Sequence, residues 1–198
     1  MLAPMATAAR SRVGLEEYLR IEREAKGKSE YFAGEVFAMA GASREHNLIV
    51  TNLVRELSAR LRQTNCEVYP SDMRVAVTTG LYTYPDVSVA CGQPSFLDAR
   101  HDTLLDPVLL VEVLSETTEA YDRGRKFEHY RALASLREYL LVSTLEARIE
   151  RFRRTTEGWL LDETVGLDAA LRLASVEAEL PLSEVYARLE LPAQPSLR

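Results

Sequence analysis

From Val108 to Leu114 the chain reads Val-Leu-Leu-Val-Glu-Val-Leu, a run of strand length that is apolar at every position but one. A strand with one wet face alternates apolar and polar residues. A continuous run belongs in the middle of a sheet covered on both sides, so the fold must supply helices or further chain to each face. The exception, Glu112, has to be accounted for, because removing an unpaired carboxylate from water costs roughly several kcal/mol. A second carboxylate, Asp86, stands in the similarly apolar Tyr84-Pro85-Asp86-Val87-Ser88-Val89-Ala90. The plain account is a pair of ordinary ion pairs. The alternative, favoured by the apolar context of both, is that neighbouring strands bring them to one cation.

The rest of the pattern is a mixed α/β sheet. Leu15, Tyr18, Leu19 and Glu22 share a face of a short helix over 14–24, and residues 30–39 place aromatic and β-branched residues on both sides of Gly34, as in a hairpin. Ser43 stands at a helix-cap position before 45–62, where Leu48, Ile49, Leu53, Leu57 and Leu61 line one face. Strands are predicted at 66–79, 81–91 and 108–115, a helix at 118–134, and strands at 138–144, 148–154 and 159–165. A final strand and short helix run through Leu180 to Leu189. The connection over 92–107 reads as exposed and mobile. A single domain is expected over 13–191, between a mobile tail at 1–12 and a disordered one at 192–198.

With 198 residues and a formal charge of −6, the chain has the size of one domain and no overall basic surface for nucleic acid. Local basic faces are open at Arg55, Arg60 and Arg62, and at Arg148, Arg151, Arg153 and Arg154. Cys66 and Cys91 lack the spacing of a disulfide framework or a zinc knuckle. No stretch approaches the roughly 18 apolar residues of a membrane span, and no signal-peptide core stands at the N-terminus, so a cytoplasmic location is expected.

Strand alternation puts Asp86, Ser88 and Ala90 on one face, and Leu110, Glu112 and Leu114 on one face of theirs, so paired strands would let the carboxylates converge. Hard oxygen donors suit Mg²⁺ or Mn²⁺, which keep several waters. In the following helix Asp122, Lys126 and Tyr130 recur at i, i+4 steps, which carries the Lys126 ammonium towards Glu112. A serine-hydrolase triad of Ser115, His129 and Asp122 is disfavoured, since no Gly-x-Ser-x-Gly surrounds Ser115.

Pro85-Asp86, Glu112-Val113-Leu114-Ser115, Asp122 and Lys126, together with Tyr31-Phe32-Ala33-Gly34-Glu35 and His46, resemble the Uma-type family of restriction endonucleases in the PD-(D/E)XK nuclease superfamily. The resemblance spans most of the chain. It implies a restriction-endonuclease-like α/β (mixed α+β) core, a central mixed sheet flanked by helices. It also implies that Asp86 and Glu112 hold the metal with the Val113 carbonyl, and that Lys126 assists the attacking water. The superfamily places its lysine two positions after the second acid, where this chain has Leu114, so Lys126 is its replacement from the next helix. Glu35 and His46 enter the candidate site as well. Glu35 would support a second metal or orient water, or simply end a hairpin; His46 would lie near the metal, or simply serve a helix entry.

The expected function is therefore a Mg²⁺- or Mn²⁺-dependent DNA endonuclease, acting on duplex DNA as a homodimer. The alternative is a nuclease-fold DNA-binding or assembly module without turnover.

Overall fold

In a computed structural model the described residues are 12–191, so the two tail expectations, Arg12 apart, lie outside them. Helix α1 (Leu15–Glu24) leads into a hairpin of β1 (Ser29–Phe32) and β2 (Glu35–Ala38). Its turn, Ala33-Gly34, has φ of 51° and 91°, the left-handed pair that a two-residue hairpin turn needs. Helix α2 (Arg44–Leu61) starts at Ser43, whose hydroxyl accepts the His46 N–H at 3.2 Å. Next come β3 (Cys66–Pro70), β4 (Arg74–Ala76), β5 (Leu81–Thr83), β6 (Val87–Cys91), β7 (Thr103–Leu104) and β8 (Leu109–Val113). A broken helix follows, made of α3 (Glu119–Tyr121), a π-turn at Asp122–Lys126 and α4 (Phe127–Tyr130). The chain then forms β9 (Glu138–Val142), β10 (Arg148–Arg154), β11 (Trp159–Val165), β12 (Ala170–Leu173), β13 (Ala178–Pro181) and α5 (Leu182–Val185).

Among the described residues the strands make a six-stranded sheet in the order β11-β10-β9-β8-β6-β3, a five-stranded sheet β2-β1-β5-β4-β7, and the hairpin β12-β13. The larger sheet is antiparallel except where β8 runs parallel to β9. Its middle strand β8 is covered on both faces, as its apolar run requires. Leu109, Val111 and Val113 pack with Ile49, Leu53 and Leu57 of α2. Leu110 and Leu114 pack with Tyr130, Leu133 and Tyr139 on the other side.

Several expectations are corrected. The predicted strands 66–79 and 81–91 each divide between the two sheets, as β3 and β4 and as β5 and β6. Pro70 and Pro85 stand at the breaks, where a missing N–H ends a ladder. The connection over 92–107 is tied down: β7 pairs in parallel with β4, and Arg23 reaches Asp98 and Asp102 at 2.7 Å each. Cys66 and Cys91 form a disulfide, because β3 and β6 pair with these two residues directly opposite each other. The strand β12 was not foreseen. The arginines suggested as basic faces are largely spent on internal ion pairs: Arg55 and Arg60 on Glu56, Arg148 on Glu146, and Arg151 on Glu138 and Asp162.

Candidate active site

Asp86 is the last residue before β6. The β6–β8 register pairs Val87 with Val111, and one step further along it Asp86 faces Glu112. The crossing Tyr84-Pro85-Asp86 is fixed on both sides. The Tyr84 hydroxyl donates to Glu22 at 3.0 Å and accepts from buried Arg74 at 3.1 Å. Asp86 Oδ2 accepts the Val113 backbone N–H at 2.7 Å and lies 3.1 Å from Nε2 of His46, at the start of α2. The other ring nitrogen of His46, Nδ1, is buried without a hydrogen-bond partner.

Glu112 faces the broken helix. Its Oε1 accepts the Tyr130 hydroxyl at 2.7 Å and lies 2.9 Å from Lys126 Nζ. Lys126 is also 3.3 Å from Glu30 and 3.5 Å from Asp122. Glu30, on β1, accepts the Thr83 hydroxyl of β5 as well. The π-turn, with Gly124 at its centre, is the local feature that turns both Asp122 and Lys126 inward; single π-turns recur at functional sites.

Charge in this cluster is unbalanced. Glu112, Asp122 and Glu30 surround one ammonium, and Asp86 adds its charge beside Glu112 and Asp122. Burial pushes Glu112 well above the usual carboxylate range, a shift that Lys126 eases and that Asp122 and Asp86 reinforce. Burial likewise raises Asp122, with Lys126 opposing. For Lys126 burial disfavours the charge, but Glu112, Glu30 and Asp122 outweigh it and hold the group protonated. A cluster of hard oxygen donors short of positive charge fits a divalent cation. Among the described residues no three His, Cys, Asp or Glu side chains form a ready metal cage. The fit is therefore to an ion of the Mg²⁺ kind, which takes one or two carboxylates and keeps its waters.

Asp86, Glu112, Lys126, His46 and Val113 are thus brought together. Glu35 is not: it lies on the exposed strand β2, opposite Phe32. The β1 acid at the cluster is Glu30, which sequence reasoning missed along with the Tyr130 hydroxyl. Tyr130 had carried a signal, its i+4 step from Lys126. Ser115 and His129 bond elsewhere, to Thr117 and Thr118 and to Thr79.

A mixed six-stranded sheet with Asp86 and Glu112 converging at one end of β6 and β8, and a helix laid over them, defines a domain of the restriction-endonuclease-like class. Comparison with known proteins agrees. Residues 15–185 match the Uma2 family, described as "Putative restriction endonuclease", and the chain belongs to it. Two proteins of Synechocystis sp., each described as uncharacterized, are 36% identical. One, sll1609, aligns over 80% of this chain and 90% of its own length. The other, slr1290, aligns over 94% and 97%. The fold is also that of the crystal structure of a "putative nuclease belonging to DUF820" from Anabaena variabilis, with a TM-score of 0.73 and 17% identity over 88% of this chain and 97% of that one.

Proposed function

We propose that the chain is a divalent-cation-dependent nuclease hydrolysing DNA phosphodiester bonds, with Asp86, Glu112 and the Val113 carbonyl holding Mg²⁺ or Mn²⁺ and Lys126 acting on the attacking water. The observation that carries this reading is the gathering of three carboxylates around Lys126, the nearest at 2.9 Å, with Asp86 facing Glu112 across the β6–β8 register, in a site that no ordinary ion pair would balance. A cation bound there supplies Lewis acidity towards a phosphate oxygen and lowers the pKa of a water.

The chain's own groups do the rest. Lys126 offers N–H donors to the incoming water and offsets the charge that builds on the phosphorus oxygens. Glu30 and Asp122 keep the ammonium in place when Glu112 turns to the cation. The Tyr130 hydroxyl orients Glu112, while His46 and the Val113 N–H orient Asp86. Cutting both strands of a duplex takes two such sites, which a two-fold pair of chains would supply. The exposed Leu160, Leu161 and Val165 on the outer strand β11 are apolar surface available for that pairing.

The test is to incubate supercoiled plasmid and linear duplex with the protein in Mg²⁺, Mn²⁺ or chelator, alongside Asp86→Asn and Glu112→Gln proteins shown to be folded. Cutting that needs the cation and disappears in both variants is expected. Cutting that survives both substitutions would place the site elsewhere. Equal DNA binding by wild type and variants without any cutting would leave a DNA-binding module instead.

A further inference from the structure

Tyr121 is the last residue of α3, at the rim of the acid cluster. Its ring centroid is 6.0 Å from Lys126 Nζ, yet 36% of the residue is open to solvent. Burial is the chief cause that raises its hydroxyl pKa to about 12, with Glu30 second. The hydroxyl makes no hydrogen bond among the described residues. A large aromatic that is half-packed against a buried charge, with no polar partner and an open surface, is suited to take a flat apolar ligand.

The surroundings narrow the ligand. Glu30, Asp122 and Glu112 act electrostatically on the Tyr121 hydroxyl with Lys126 alone opposing them, three carboxylates against one ammonium, so a neutral part of a substrate suits the ring better than another phosphate. A nucleoside is the neutral, flat part of a polynucleotide, and aromatic side chains hold such groups by stacking with little regard to sequence.

We infer that Tyr121 is a substrate-contact residue, the stacking platform for the nucleoside next to the scissile phosphate, with that base turned out of the duplex stack. The inference rests on the nuclease reading of the neighbouring site and adds to it a preference for nucleic acid with an unpaired base at the point of cleavage.

The experiment measures affinity by fluorescence anisotropy for a labelled single-stranded oligonucleotide in Ca²⁺, and then kcat and KM for its cleavage in Mg²⁺ or Mn²⁺. The proteins compared are wild type, Tyr121→Ala, Tyr121→Phe and, as a remote exposed aromatic, Phe37→Ala. Tyr121→Ala is expected to weaken binding by about 5- to 150-fold, the range found for loss of one base stack. It should raise KM and leave kcat within about twofold. Tyr121→Phe should restore affinity, and Phe37→Ala should match wild type.

The inference is overturned if Tyr121→Ala binds within twofold of wild type, if Tyr121→Phe is as weak as Tyr121→Ala, or if kcat falls with KM unchanged. Wild type that binds the oligonucleotide but never cuts it would remove the nuclease reading and leave the anisotropy series to decide the role of Tyr121. Wild type that does not bind at all would remove both.

Discussion

Replacing Lys126 by methionine would leave Glu112, Asp122 and Glu30 in one buried space with no cation among them. Breaking a buried ion pair from one side costs about 3–5 kcal/mol, so Lys126→Met should melt at a distinctly lower temperature than wild type. Added Mn²⁺ should recover part of that loss and raise the melting temperature of the variant more than that of wild type. Thermal melts that ignore Mn²⁺ in both proteins would count against a cation at Asp86 and Glu112. A different single residue contributes to acid tolerance. Hydrogen bonding to Arg23 lowers Asp102 from the usual 3.8 to about 2. A depressed carboxylate contributes stability above its unfolded pKa and loses it as pH falls through the folded one. Asp102→Asn should therefore be less stable than wild type at neutral pH, with the difference shrinking below about pH 4 and gone only below about pH 2. Melting curves across that range check it.

At the scale of elements, the hairpin turn is the place where a small change should be felt. Gly34 has φ of 91°, and a Cβ there would stand 2.8 Å from the Cβ of Arg12. Gly34→Ala is expected to cost about 1–2 kcal/mol from the left-handed backbone alone, read as a shift in denaturant midpoint. That turn was legible in the sequence because a local residue sets it. So were α2, with its Ser43 cap, and the strands β10 and β11, whose bounds the alternation predicts to the residue. Other elements depend on partners that a local pattern does not name. Residues 81–91 read as one strand despite Pro85, and only the pairing shows that the chain changes sheets there. The i+4 spacing of Asp122 and Lys126 pointed to a shared face and gave no sign of the π-turn between them. Glu30 escaped notice because polar Lys28 and Ser29 precede it at the start of a short strand, where a wet carboxylate is ordinary; it is the distant Thr83 and Lys126 that enclose it. The Cys66–Cys91 pair escaped for the same reason, since its spacing matters only once β3 lies on β6.

For the molecule as a whole, that disulfide closes a loop across 25 positions between an outer strand and the strand that follows Asp86. Chain-entropy arguments put its stabilisation at roughly 3–4 kcal/mol, so reductant should lower unfolding stability by about that amount, and Cys66→Ser with Cys91→Ser should reproduce the loss. Chemical denaturation with and without reductant decides it; identical midpoints would mean that the bridge braces nothing. Another long-range connection is the acid cluster. Glu30 and Thr83 come from the smaller sheet, Asp86 and Glu112 from the ends of the larger, and Lys126 reaches across. Beside the apolar contacts of Val75, Leu81 and Leu104 with Leu110 and Tyr139, the joint between the two sheets thus holds a knot of acids about one ammonium, its least cohesive part. Drift that diluted the knot with apolar residues would set the joint harder and remove the proposed chemistry together. A descendant of this chain that has exchanged the acids of the cluster for apolar residues should be the sturdier of the two.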